Sequence, residues 1–139
     1  MSLERTLAIV KPDAVAAGQA GRILALIEER GFRILGLGLT RLRTEQAQGF
    51  YAVHRERPFF DGLVRFMTEG PVIVAVLEAE DAVKKWRDTM GATNPAHAAE
   101  GTIRKRFAQS IERNAVHGSD SIENARIEVG FFFSAADLI

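Results

Sequence analysis

The sequence predicts an α+β ferredoxin-like sandwich: a four-stranded antiparallel sheet covered by helices, with a long loop before the last strand. Three observations carry that expectation. Apolar runs at Arg5 to Val10, Phe32 to Leu42 and Val72 to Glu78 have strand patterning. Helical periodicity separates them, first as one helix and then as a pair, so the second and third strands do not alternate through single helices. A loosely patterned stretch from Ala92 to Asn114 then precedes a last short strand and helix. The 139 residues are expected to form one domain over 1–139, long enough to close a single core.

The elements follow in chain order. Arg5 to Val10 is a short buried strand, stopped by Lys11-Pro12-Asp13, and Pro12 suits the first turn of a short helix. Ala20 to Arg30 places Ala20, Ile23, Leu24 and Ile27 at helical spacing, and Gly31 suits the position past its end. Phe32 to Leu42 alternates, with Leu35, Leu37 and Leu39 on one face and Gly36 and Gly38 on the other. Thr44 is expected to cap a helix running to about His54, with Pro58 ending it and a further helix over about Phe60 to Thr68. After Gly70-Pro71, Val72 to Glu78 is nearly unbroken in apolar character and fits a central strand. Asp81 starts a helix whose stripe joins Val83, Trp86, Arg87 and Met90; an arginine there needs a partner or a wet edge. A helical turn near Thr102 to Phe107 lies within the loose segment, whose length points to a functional loop. A strand ends near His117, Ser121 caps a helix over about Ile122 to Phe132, and the short tail Phe133 to Ile139 is apolar enough to pack on a neighbour.

Composition removes several function classes. Eighteen basic residues balance eighteen acidic ones, so no bulk field for nucleic acid or an anionic membrane exists, although a local cationic pocket remains open. With no cysteine, disulfides, thiolate catalysis and zinc–thiolate sites are excluded. The N-terminal residues lack a signal-peptide pattern, and the longest uncharged apolar stretch, Val72 to Leu77, is too short to span a bilayer. A cytoplasmic location is the expectation.

Motif searches narrow the chemistry further. There is no G-x-x-x-x-G-K-[ST] cradle, no H-E-x-x-H, no calcium loop and no G-x-S-x-G elbow. The pair Gly36 and Gly38 lacks a third glycine and lies inside a strand, so it is no dinucleotide fingerprint. What stands out is Asn114-Ala115-Val116-His117-Gly118-Ser119-Asp120-Ser121, which combines an imidazole, a glycine and small polar residues. Alone it fits either a solvated turn histidine or a nucleophile facing a phosphate. Lys11, Tyr51, Arg87, Thr93, Arg104 and Asn114 all fall near element ends. If they converge they can form a polyphosphate site, since guanidinium forks match phosphate oxygens and lysine supplies a point charge. A neutral imidazole is a competent nucleophile at pH 7. Glu128, eleven residues downstream, can fix its tautomer or simply face solvent.

Six ordered segments carry a resemblance. The octapeptide, E-R-T-L-A-I-V-K-P-D-A-V at Glu4 to Val15 and F-Y-A-V-H-R-E-R-P-F-F at Phe50 to Phe60 resemble nucleoside diphosphate kinases. So do G-P-V-I-V-A-V-L-E at Gly70 to Glu78, M-G-A-T-N-P at Met90 to Pro95 and A-E-G-T-I-R-K-R-F at Ala99 to Phe107. The resemblance implies ping-pong transfer of the γ-phosphoryl group from a nucleoside triphosphate, mainly ATP, to a nucleoside diphosphate, with His117 carrying the group between half-reactions. By position, Lys11, Tyr51, Arg87, Thr93 and Arg104 hold phosphates, and Lys11 and Asn114 also reach the sugar. Phe59 and Ile111 flank the base, Glu128 orients the histidine, and Ser119 bonds to Glu128. Mg²⁺ rides on the nucleotide phosphates, with Asp120 reaching it through water and no direct protein ligand. Family members in bacteria assemble as tetramers or hexamers, so a homo-oligomer is implied, with neither nucleic acid nor membrane as partner. Ile111 stands where many relatives have Val. Two other readings share the fold: an RNA-binding module, disfavoured by neutral charge and apolar strands, and an inactive relative used as a scaffold, disfavoured by the full set of site residues.

Overall fold

The structure is a computed structural model and describes residues 2–139. Its strands are β1 (Leu3–Val10), β2 (Arg33–Thr40), β3 (Val72–Glu80) and β4 (Val116–Gly118). They form one antiparallel sheet in the order β2-β3-β1-β4. The α-helices are α1 (Pro12–Ala16), α2 (Ala20–Glu29), α3 (Thr44–Phe50), α4 (Phe60–Met67), α5 (Ala82–Met90), α6 (Ile103–Phe107) and α7 (Ile122–Phe132). The expected α+β architecture is observed, and β3 and β1 are its central strands.

Period-two alternation divides the core between the two faces of the sheet. Ala8 and Val10 of β1 face Ile23, Leu26 and Ile27 of α2 and Trp86 and Met90 of α5. Leu7 and Ile9 face the other way, toward Ala47 and Phe50 of α3 and Val64 and Met67 of α4. The nearly continuous apolar run of β3 is the consequence: Ala75 and Leu77 serve one core, Val72, Val74 and Val76 the other. The same alternation reaches β4. His117 pairs with Ile9 and shares its face, whereas Val116 and Gly118 pair with Val10 and Ala8 on the α5 face. One short strand therefore presents an imidazole to one helix layer and a glycine to the other.

Several local expectations are corrected. In β2 the register slips between Ile34, opposite Leu77, and Gly36, opposite Val76, so Leu35 is an extra residue in the strand. This bulge sends Leu35 into the core with α3 and α4 and leaves Leu37 and Leu39 52% and 68% exposed. Gly36 then faces the chain's own tail, where a Cβ would come within 2.9 Å of Leu138. The tail Phe133 to Ile139 accordingly packs on β2 of the same chain, and Ile139 N donates to Leu35 O at 3.1 Å.

Thr44 is the first helical residue rather than the cap. Arg43 precedes the helix, and its backbone N–H donates to Gln46 Oε1 at 2.9 Å. The helix also stops at Phe50, and Ala52–His54 continue as a 3₁₀ turn. Ser121 caps α7 as expected, accepting from Asn124 N at 3.0 Å. Among the described residues no helix is long and apolar enough to cross a membrane.

Candidate active site

The octapeptide enters β4 through a tight turn. Ala115 has φ +74°, and Val116 N donates to Asn114 O at 2.9 Å, which closes a γ-turn of the left-handed kind. Such a backbone is strained for any residue with a Cβ. It persists because neighbours hold Ala115 on both sides: Lys11 N donates to Ala115 O at 2.8 Å, and Ala115 N donates to Asp13 Oδ2 at 3.1 Å.

His117 lies beside α7. Its Nε2 is 2.8 Å from Glu128 Oε1, and that oxygen also accepts from Ser119 Oγ at 2.8 Å. Ser119 in turn accepts from Leu7 N at 3.2 Å and is fully buried. A carboxylate oxygen can only accept, so Nε2 carries the proton and Nδ1 keeps its lone pair. Nδ1 has no hydrogen-bond partner among the described residues. Burial lowers the imidazole pKa, with Lys11 and Arg104 adding to the shift and Glu128 opposing it. The neutral ring is therefore the form present at pH 7.

The ring is also fixed by packing. Phe50 and Tyr51 meet it edgewise, with centroids at 5.3 and 6.1 Å. On the opposite face of β4, Trp86 Nε1 donates to His117 O at 3.0 Å. Gly118 permits that approach, because a Cβ there would collide with the indole and with Met90.

Cations surround this corner. Lys11 is buried, donates through Nζ to Asn114 Oδ1 at 2.8 Å, and has its pKa pushed down to about 8 by burial first and Arg104 second, against Asp13. Asn114 Nδ2 donates to Ile111 O at 2.9 Å, so this side chain ties the lysine to the preceding loop. Arg104, also buried, donates to three carbonyls: Gly91 O at 3.0 Å, Val116 O at 2.9 Å and Asn114 O at 3.3 Å. Burial first, and the nearby Arg87, push its pKa down to about 10. Of its five N–H groups three are used, leaving two for an anion.

Arg87 is exposed at the wet edge of α5, and with Thr93 and Arg104 it lines a cleft of about 470 Å³. Tyr51 OH is buried without a partner, and its pKa is raised by burial first and by Glu128, so it stays a protonated donor. Tyr51 continues outward through His54, at 6.4 Å, to Phe59, whose ring is 5.4 Å from His54. Phe59 and Ile111 are 53% and 50% exposed.

The sequence-predicted residues thus converge for the most part. His117, Glu128 and Ser119 form one hydrogen-bonded set, Lys11 and Asn114 a second, and Arg87, Thr93 and Arg104 share one cleft. Asp120 stands apart: it is exposed and accepts from Asn124 Nδ2 at 2.6 Å. Two residues escaped sequence reasoning as parts of the site. Trp86 reads as a core residue from its stripe, and nothing in the spacing shows its indole N–H reaching His117. Asp13 reads only as part of a strand stop. The adjacency of Lys11, Pro12 and Asp13 at a strand end was the available signal.

An anionic, aromatic-bearing ligand fits this arrangement: guanidinium forks and an ammonium at one end, exposed apolar side chains at the other, and an unprotonated imidazole nitrogen between elements. Comparison with known proteins agrees. A family model described as nucleoside diphosphate kinase matches residues 4–138. The chain is 61% identical over 137 residues to a nucleoside diphosphate kinase of Syntrophotalea carbinolica, covering 99% of this chain and 100% of the relative. It is 59% identical to one of Halorhodospira halophila, covering 99% and 98%. Among solved structures, the Aquifex aeolicus nucleoside diphosphate kinase superposes with a TM-score of 0.98 at 47% identity, covering 99% and 100%. The Halobacterium salinarum enzyme in complex with CDP gives 0.94 at 40% identity, covering 99% and 92%.

Proposed function

The chain belongs to the nucleoside diphosphate kinase family, and we propose that His117 Nδ1 is the atom that carries the phosphoryl group in transit. The activity is transfer of the γ-phosphoryl group from a nucleoside triphosphate to a nucleoside diphosphate through a phosphohistidine. The observation that carries the assignment is the single carboxylate oxygen of Glu128 shared by Ser119 Oγ and His117 Nε2. It leaves Nδ1 unprotonated and unbonded.

In the first half-reaction the Nδ1 lone pair attacks Pγ. The bond from Pγ to the bridging oxygen breaks, and its electron pair leaves on the nucleoside diphosphate. The ring becomes cationic as the N–P bond forms, and Glu128 stabilises that charge through the Nε2 proton. In the second half-reaction a terminal oxygen of the acceptor diphosphate attacks phosphorus, and the electron pair returns to Nδ1. Splitting one transfer into two lets a single site serve both nucleotides in turn.

Positive charge is required where the transition state spreads charge over the equatorial oxygens. Arg87 and the two free N–H groups of Arg104 supply it from the cleft and Lys11 from the histidine side, while the neutral hydroxyls of Thr93 and Tyr51 add hydrogen bonds. Lys11 and Asn114 reach the sugar hydroxyls. Phe59 and Ile111 take the base by stacking and packing, which reads no base edge and so accepts purines and pyrimidines alike. ATP, as the abundant triphosphate, is the main donor.

The family needs a divalent cation; Mg²⁺ fits these residues. Among the described residues no group of three His, Asp or Glu side chains gathers into a metal cage. The donor set around His117 is cationic, which suits a small hard ion arriving on the phosphates with its water. Bound there, Mg²⁺ would neutralise phosphate charge, and Asp120, exposed and bonded to Asn124 Nδ2, would reach it only through water.

A homo-oligomer of cytoplasmic location, tetramer or hexamer, completes the reading, without nucleic acid or membrane as partner. Leu37 and Leu39, 52% and 68% exposed, support self-association: covering what is left in water is worth about 1–2 kcal/mol each. Native mass measurement tests it. The phosphohistidine assignment is tested by mixing His117→Ala with γ-³²P-ATP. Acid-labile label on the unsubstituted chain and none on the variant is the expected result; label retained on the variant sinks the assignment.

A further inference from the structure

Asp13 is a buried carboxylate with an expensive arrangement. It sits at the second position of α1, and no ion pair to it is present among the described residues. Oδ1 has no hydrogen-bond partner, and Oδ2 has one, the backbone N–H of Ala115. A carboxylate removed from water and given a single amide contact is costly to the fold. That contact falls on the one residue of the octapeptide whose backbone is strained, Ala115 at φ +74°. The γ-turn around it fixes two things at once. Upstream it aims Asn114, whose Oδ1 receives Lys11 Nζ at 2.8 Å. Downstream it sets where Val116 enters β4, and therefore where His117 stands opposite Ile9.

We propose that Asp13 is a positioning residue for phosphoryl transfer: its carboxylate holds the turn at Asn114 to Val116 closed, and through the turn it sets His117 in place relative to Lys11 and Asn114. Asp13 touches no reacting atom in this arrangement. Lys11 N, bonded to Ala115 O at 2.8 Å, holds the next peptide unit on the other side of the same residue, so the Lys11 to Asp13 segment grips Ala115 twice. Without the carboxylate an alanine relaxes toward negative φ, the turn opens, and His117 shifts with it. Displacements of about 1 Å at a reacting group are enough to cost on the order of a hundredfold in rate.

The inference rests on His117 being the acceptor, which the labelling of His117→Ala against the unsubstituted chain tests separately. The experiment follows single-turnover labelling of the protein by γ-³²P-ATP at saturating nucleotide, with thermal unfolding recorded for each variant. Asp13→Ala is expected to slow labelling about ten- to a hundredfold. Asp13→Asn, whose amide oxygen can still accept from Ala115 N, loses much less. Adding Ala115→Gly to Asp13→Ala recovers several-fold in rate, because glycine takes positive φ without steric cost. Asp13→Glu keeps the charge but displaces the acceptor; it is expected to be slow as well, and it stands in if Asp13→Ala does not fold. Unchanged labelling rates in folded Asp13→Ala or Asp13→Glu overturn the proposal. So does a failure of Ala115→Gly to restore any rate, since a purely structural carboxylate would lower thermal stability without being answered at position 115.

Discussion

Glu128 Oε1 lies 2.8 Å from His117 Nε2 and 2.8 Å from Ser119 Oγ, so one oxygen of α7 dictates the tautomer of the histidine on β4. Removing that acceptor is expected to lower kcat for phosphoryl exchange while leaving nucleotide KM nearly unchanged, because Glu128 is assigned no contact with substrate. Glu128→Ala should cost about ten- to a hundredfold or more, by analogy with loss of the carboxylate that orients a metal-bound imidazole. Steady-state exchange between ATP and a second diphosphate measures it. A rise in KM with unaltered kcat would place Glu128 on the substrate instead.

The two arginines of the cleft separate by what they do in the absence of ligand. Arg104 donates to three carbonyls, and Arg104→Ala leaves them without it. Asn114 O keeps Val116 N as a donor, so the loss falls on Gly91 O and Val116 O, and at about 1–3 kcal/mol for a buried group left unpaired the urea midpoint should fall visibly along with kcat. The Arg87 side chain is exposed and makes no hydrogen bond among the described residues, so Arg87→Ala should lower kcat at nearly unchanged stability. Equal losses of stability in the two variants would contradict this division.

Phe59 is half exposed at the end of the aromatic row that begins at His117. Phe59→Ala should weaken binding of adenine and cytosine nucleotides alike, by about 1–3 kcal/mol as read by calorimetry. Loss confined to one base would mean that an edge is being read after all.

Lys11 makes a pH prediction whose sign can be worked out. Its folded pKa is about 8 against an ordinary 10.5, so burial penalises the charged form. Relative to Lys11→Met, the ligand-free chain should carry the full penalty below pH 8 and shed it between pH 8 and 10.5. The size is on the order of 3 kcal/mol, at 1.36 kcal/mol per pKa unit. Activity should run the other way, falling above about pH 8 as the ammonium is lost. The lowered His117 pKa places the acid limb below the ordinary histidine value. Urea midpoints across pH 7 to 10.5 for both chains, with kcat/KM over the same range, check the pair of trends.

The sequence by itself determined the residue types and most of the elements. Apolar periodicity marked β1, α2, β3 and α5, a serine announced α7, and ordered motifs pointed to the site residues. Periodicity works there because each of those elements buries one face or two, and burial is written along the chain at intervals of 2 or 3.6 residues. It failed at β2, where one extra residue turned Leu37 and Leu39 out of the core, because a bulge changes the phase without changing composition. Other features were decided by tertiary structure alone. Which nitrogen of His117 is free depends on Glu128 of a different element, the employment of Arg104 on three carbonyls depends on where loops close, and the clamp on Ala115 joins residues 102 positions apart. These are contacts between specific atoms of distant segments. A hydrogen bond is fixed by ångströms and angles, which the order of residue types along a chain does not carry until the sheet has brought β1 and β4 side by side.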